Sequence, residues 1–146
     1  SAEPPVDSPV TIYSAAASLS VPAEGEATLP IRIAIEGAQF HINAAEIDPA
    51  LEALGMQPLQ AAIIGGTGYD VELQMPPGVP YDGQLIGDEL PPLSVYQRTT
   101  EGAVGVRRNG QVIAGRPRIV ITYQVCTDRA CFNAMTVELE VELAPE

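Results

Sequence analysis

The sequence predicts an all-β fold, an antiparallel β-sandwich with one short helix, on three observations. Apolar and polar residues alternate at period two in several segments, the signature of strands with one buried face. Glycine (13) and proline (14) are frequent, which disfavours long helices and favours a turn-rich chain. Aromatics are only 5 % and tryptophan is absent, so the core is aliphatic. A length of 146 residues fits one domain that can bury its own core.

The elements follow in chain order. Residues 1–9 (SAEPPVDSP) are rich in proline and acid and form a flexible lead-in or linker, which leaves 10–146 as the folded domain. From Val10 to Val21 the pattern alternates weakly, with Ala15, Ala17, Leu19 and Val21 on one parity, and predicts one strand ended by Pro22. Leu29, Ile31, Ile33 and Ile35 alternate strictly, with Arg32 on the other parity. Glu36-Gly37-Ala38 turns this strand, and Phe40 to Asn43 returns as the second arm of a hairpin. Asp48 to Gly55 has an N-cap, a proline at the first helical position and a glycine past the end, which predicts a helix of about two turns.

Two strands, Leu59 to Ile64 and Val71 to Met75, flank Gly65-Gly66-Thr67-Gly68. That cluster is not a nucleotide loop, because it lacks a lysine and no helix follows; it predicts a flexible hairpin loop. Pro76 to Pro92 has no period and is a long loop of the kind that in compact domains is either functional or disordered. Val104 and Val106 lead into Arg108-Asn109-Gly110-Gln111, a tight-hairpin signal, and Val112-Ile113 lead away from it. Ile119, Ile121, Tyr123 and Val125 alternate on one parity. Val137, Leu139, Val141 and Leu143 alternate against Glu138, Glu140 and Glu142 over Thr136 to Leu143. About eight or nine strands result, and no internal repeat is visible.

Charge excludes whole classes of partner. The formal net charge is −12, from 19 acidic and 7 basic residues. A phosphate backbone or an anionic membrane surface attracts the opposite sign, so nucleic acid is not a partner. All the basic residues are arginine, which rules out a lysine Schiff base. No apolar run reaches the roughly 20 residues needed to span a bilayer, so the domain does not insert directly into a membrane. The chain starts at Ser1 without a leader pattern, as expected of a processed product or an excised piece.

Chemistry concentrates in the two cysteines. Cys126 and Cys131 stand as Cys-Thr-Asp-Arg-Ala-Cys between two strands, and four intervening residues make a hairpin loop that can bring the thiols together. Two thiols do not make a zinc site, and the single His41 is distant in sequence, so neither metal nor cofactor is expected. One reading is a structural disulfide that staples a hairpin. Closing so short a loop stabilises by only about 2 kcal/mol in the chain-entropy model. The usual sandwich disulfide also joins the two sheets between residues distant in sequence. Both points shift weight toward a working redox pair and leave the alternative open.

Tyr123-Gln124-Val125-Cys126-Thr127-Asp128-Arg129-Ala130-Cys131 resembles the Tyr-Gln-x-Cys…Cys signature of the DsbD N-terminal domain family, the thiol–disulfide interchange or disulfide bond corrector type. Ile35 to Ala44 (IEGAQFHINA) is similar to that family's strand–glycine–aromatic/histidine–strand segment. Met75-Pro76-Pro77-Gly78-Val79 is similar to its Leu-Pro-x-Gly-Val step. Gly87 and Val95-Tyr96 fall where its loop returns into a strand. The resemblance runs from Leu29 to Leu143, and its specific part is the cysteine segment.

The resemblance implies an immunoglobulin-like sandwich outside the cytoplasm, alone or as part of a larger membrane protein. It implies that Cys126 and Cys131 accept electrons from a membrane-embedded reductant module and pass them to thioredoxin-like proteins, in processes such as cytochrome c biogenesis. It also implies a cap loop over the cysteines, Tyr81 to Ile86, with Asp82 beside it and Leu85 where the family often carries an aromatic. Three departures stand out: Phe132-Asn133-Ala134 replace the prolines after the second cysteine, Gly83-Gln84 replace an acidic pair, and Leu85 is aliphatic.

Supporting roles are open on the residues alone. Arg129 between the cysteines can stabilise a thiolate, or simply be solvated with Asp128. Tyr123 and Gln124 precede Cys126, and Tyr123 packs in the core by the plainer reading. Tyr81 and Tyr96 line a docking surface or pack. His41 belongs to the fold as a hydrogen-bonded strand residue rather than to catalysis. The rival to exchange is a non-catalytic immunoglobulin-like binding or structural module, including one that modulates an attached thioredoxin-like domain.

Overall fold

The computed structural model describes residues 8–81 and 90–146. The strands are β1 (Val10–Tyr13), β2 (Ser18–Val21), β3 (Glu26–Ile35), β4 (His41–Asn43), β5 (Gln60–Thr67), β6 (Tyr69–Gln74), β7 (Val79–Pro80), β8 (Ser94–Tyr96), β9 (Thr99–Arg108), β10 (Ala114–Tyr123), β11 (Val125–Cys126), β12 (Met135–Glu138) and β13 (Glu142–Pro145), with one helix, α1 (Pro49–Glu52). The fold is an all-β, immunoglobulin-like sandwich. One sheet runs β1-β3-β9-β6, the facing one β12-β10-β5, and a third, β11-β4-β8-β7, joins the same core through Ile42, Tyr96 and Val125. Every pair in these three sheets is antiparallel.

Alternation places the core where period two requires it. Leu29, Ile31, Ile33 and Ile35 of β3, Val104 and Val106 of β9, and Ile119, Ile121 and Tyr123 of β10 are buried in one cluster, joined by Leu139 and Val141. Arg32, on the other face of β3, instead pairs with Glu101 across the strand. The helix is one turn rather than two. Asp48 caps it, its carboxylate accepting from the Ala50 N–H at 2.9 Å, and Leu51 is its buried residue.

Strand partners depart from the expected hairpins for one recurrent reason: a strand has only two edges. β3 already pairs with β1 and β9, so β4 leaves it and joins the third sheet. β9 lies between β3 and β6, so the Arg108–Gln111 turn does not close a hairpin but carries the chain across to β10 in the facing sheet. Asn109 fastens that crossing, its backbone N–H donating to the Gly68 carbonyl and its side chain to Asp70.

Two long alternating runs are each divided between sheets. Val10 to Val21 breaks into β1, which pairs with β3, and β2, which pairs with β13. Thr136 to Leu143 breaks at Leu139, where the chain leaves β10 and turns to β2. The β2–β13 pair is parallel, the one exception to the antiparallel expectation among the described residues.

The glycine cluster is not a loop. β5 runs on through Gly65, Gly66 and Thr67 and pairs with β10 around a bulge between Gly115 and Arg118. A Cβ on Gly66 would lie 2.3 Å from the Ala114 carbonyl oxygen, so glycine is required where two backbones meet. Of the 1–9 lead-in, Ser8 and Pro9 are described and are tied to the body: Ser8 Oγ hydrogen-bonds the Tyr123 hydroxyl, and the Pro9 carbonyl accepts from the Glu36 N–H. Gly66→Ala should cost about 1–3 kcal/mol of stability in urea unfolding, since the clash is with backbone. Val112→Ala, at a side chain 82 % exposed in the crossing loop, should change it by less than about 0.5 kcal/mol.

Candidate functional site

The cysteine segment begins where β10 ends. Tyr123 pairs with Met135 of β12, and at Gln124 the chain leaves that sheet. β11 then joins β4 of the third sheet, with Val125 opposite Ile42 and Cys126 opposite His41. A tight hairpin follows. The Thr127 N–H donates to the Ala130 carbonyl at 2.8 Å, and the Phe132 N–H to the Val125 carbonyl at 2.9 Å. Thr127 Oγ1 shapes the tip by accepting from the N–H groups of Arg129 and Ala130. Cys126 and Cys131 face each other across the hairpin as a bridge pair and are joined in a disulfide.

The third sheet has two working faces. By alternation, Ile42, Val125 and Tyr96 turn to the main core. His41, Asn43, Cys126 and Val95 turn the other way, where Leu51, Leu93 and Val95 form a second apolar cluster with Tyr81 packed against it. The disulfide thus sits at the edge of a small separate core. Its two residues are unequal in burial: Cys126 is fully buried, whereas Cys131 is half-buried.

A polar network lies under the pair. Asn43, with no exposed surface, donates from Nδ2 to Gln124 Oε1 at 2.8 Å and to the Gln57 carbonyl at 2.9 Å. Gln124 Oε1 also accepts from the Gln57 N–H at 2.9 Å, and Gln124 Nε2 donates to the Phe132 carbonyl at 3.0 Å. Asn43 Oδ1 lies 4.0 Å from the Cys126 sulfur.

His41 is 1 % exposed. Its ring lies against that of Tyr81, centroids 4.1 Å apart. Nε2 is buried without a hydrogen-bond partner among the described residues. Burial pushes the imidazole down to about 4, while the Asp128 carboxylate works in the opposite direction. The ring is therefore neutral near pH 7, and its expected role as a hydrogen-bonded strand residue fails at Nε2.

The remaining singled-out residues divide. Gln124 and Tyr81 stand at the site, Gln124 under the hairpin and Tyr81 over His41. Tyr123 packs in the main core, its hydroxyl on Ser8 and the Met135 sulfur. Tyr96 is also buried, its hydroxyl donating to the Pro76 carbonyl at 2.8 Å. Arg129 and Asp128 are exposed at the hairpin tip. Asp82, Leu85 and Ile86 lie outside the described residues. Among the described residues no three metal-ligating side chains come together, and no helix is long and apolar enough to cross a membrane.

Sequence reasoning missed Asn43 as a site residue. The available signal was its type: asparagine is depleted in strands, and here it shares parity with His41 in a short apolar arm.

No protein-family model matches the chain, and no curated protein matches it. Among solved structures, the chain is similar to the N-terminal domain of DsbD from Neisseria meningitidis in the reduced form, at 14 % identity and a TM-score of 0.45, over 82 % of this chain and 78 % of that one. The chemistry of the site is read from this chain's own residues.

Two outcomes test the site. Gln124→Leu removes the acceptor of Asn43 and the donor to Phe132, and should lower stability by about 1–3 kcal/mol in urea unfolding of the oxidised protein. His41 supplies a pH dependence. The unfolded chain takes up a proton near the ordinary value of 6.5, the folded one only near 4. Stability is therefore complete above about pH 6.5 and is lost as the pH falls toward 4, by an amount on the order of 3 kcal/mol. His41→Phe should flatten that segment of the stability profile while keeping a ring against Tyr81.

Proposed function

We propose that this is an extracytoplasmic thiol–disulfide exchange domain that relays electrons through Cys126 and Cys131 to or from thioredoxin-like partners. The observation that carries the reading is the asymmetric pair: one cysteine half-buried, the other fully buried over a polar network. The hairpin already has its own backbone bonds and is clamped by Gln124, so the disulfide is not needed to shape it. The family resemblance of the Tyr123–Cys131 segment supports the same chemistry, and a stable or cycling disulfide belongs to an oxidising compartment.

Exchange takes two steps. A partner thiolate attacks Cys131 Sγ, on the less buried of the two cysteines; the bond to Cys126 breaks, and Cys126 leaves with the electron pair and takes up a proton. The partner's second thiolate then attacks the partner sulfur of the mixed disulfide. The partner leaves oxidised and the domain holds a dithiol. Run in reverse, the dithiol reduces a partner's disulfide. The cap loop over Tyr81 to Ile86, with Leu85 shielding the sulfurs from stray thiols, belongs to this proposal, as does a membrane-embedded electron donor. Tyr81, against His41, stands at the base of that loop.

Cys126→Ser should trap a mixed disulfide through Cys131 with an exported thioredoxin-like protein, and Cys131→Ser should trap little. Reducing the native pair should lower stability by only about 2 kcal/mol. Failure of both variants to trap, together with resistance to mild reductants, would establish the competing reading, a hairpin-stapling disulfide in a binding or structural module. Leu85→Ala should speed reduction by a small thiol with little change in melting temperature; the opposite pattern would assign Leu85 to the core.

A further inference from the structure

Asparagine can present either its oxygen or its nitrogen to a neighbour, and the choice follows from the hydrogen bonds its amide makes. Here the network leaves no choice. The Gln57 N–H can only donate, and it meets Gln124 Oε1. The Phe132 carbonyl can only accept, and it meets Gln124 Nε2. Gln124 is thereby held with its oxygen toward Asn43. The Asn43 group facing that oxygen and the Gln57 carbonyl must be the NH2. The end left over, Oδ1, points at the Cys126 sulfur from 4.0 Å. In the disulfide that sulfur carries no hydrogen, so Oδ1 has no donor there. In the dithiol it has one.

We propose that Asn43 is a positioning residue of the exchange centre: its locked carboxamide accepts the Cys126 S–H in the dithiol and holds that sulfur as the protonated, late-reacting thiol while Cys131 reacts. The inference rests on the exchange reading above. A thiolate at Cys126 would be buried and would face the lone pairs of Oδ1 rather than a donor, and both effects favour the neutral thiol. When a partner thiolate opens the disulfide at Cys131, Cys126 departs with the electron pair, takes a proton from solvent and donates it to Oδ1. When the dithiol reduces a partner, Cys131 attacks first. Cys126 must then lose its proton to water before it can close the internal disulfide and release the partner, which lengthens the life of the mixed disulfide.

The titratable and charged groups around Cys126 among the described residues are few. His41 faces it from β4 and is neutral above about pH 4. Tyr81 lies against His41, and Tyr96 turns to the opposite face of the sheet. Asp128 and Arg129 stand exposed at the hairpin tip.

The test uses Cys131→Ser, which leaves Cys126 as the lone thiol, and follows its alkylation by iodoacetamide from pH 6 to 10 with and without Asn43→Ala. Loss of the acceptor should move the midpoint of the pH profile down and raise the rate at pH 7 about tenfold, a shift of about one pH unit. A merely structural role would change the rate at every pH and leave the midpoint in place, and that result would overturn the proposal. A second measurement needs no change at Asn43. The S–H stretching band of Cys126 in Cys131→Ser should lie below that of a free thiol, and a band at the free-thiol position would overturn the proposal even if Asn43→Ala does not fold. Neither readout involves a partner, so failure here is separate from failure of the trapping experiment.

Discussion

The buried amide pair of Asn43 and Gln124 is the constraint on which the cysteine end of the molecule depends. Gln124 is the residue at which the chain leaves β10, and its side chain reaches the Phe132 carbonyl just beyond the hairpin. Asn43 is in β4, far away in sequence, and ties that departure to the third sheet and to the segment after α1. Polar groups this deep cost several kcal/mol if left unpaired. Satisfying one another, they give the hairpin a single position relative to the sandwich.

That position explains why the two cysteines differ. Cys126 belongs to β11, which is paired with β4, and is fully buried. Cys131 is on the returning arm, past an exposed tip, and keeps part of its surface. Cys126 is closed to a nucleophile arriving from solvent, whereas Cys131 as a residue is not fully covered. The same burial keeps His41 neutral beside the pair, so near pH 7 the cysteine face presents no imidazolium to a departing thiolate.

The sandwich supplies the frame by filling strand edges. β3 and β9 each have two partners, which sends β4 to the third sheet and β10 to the facing one. The cysteine hairpin exists because the chain between β10 and β12 makes an excursion to β4 before returning to the Tyr123–Met135 pairing. A plain hairpin between β10 and β12 would leave the cysteines without the β4 pairing that places Cys126 opposite His41.

The sequence by itself determined the class and most of the strands, because period-two alternation in Leu29–Ile35 and Ile119–Tyr123 is a local consequence of having one buried face. It also pointed to the cysteine hairpin, because four residues between two alternating, strand-like segments fit a hairpin loop. Partnership was decided only by the tertiary structure. Alternation says which face of a strand is buried, but not which edge meets which neighbour. The Arg108–Gln111 turn therefore looked like a hairpin and became a sheet crossing, the glycines at 65–66 became part of β5, and two alternating runs were split between sheets. Asn43 stayed hidden for the same reason. Its partners, Gln57, Gln124 and the Cys126 sulfur, come from separate stretches of chain, and only folding brings them to one amide.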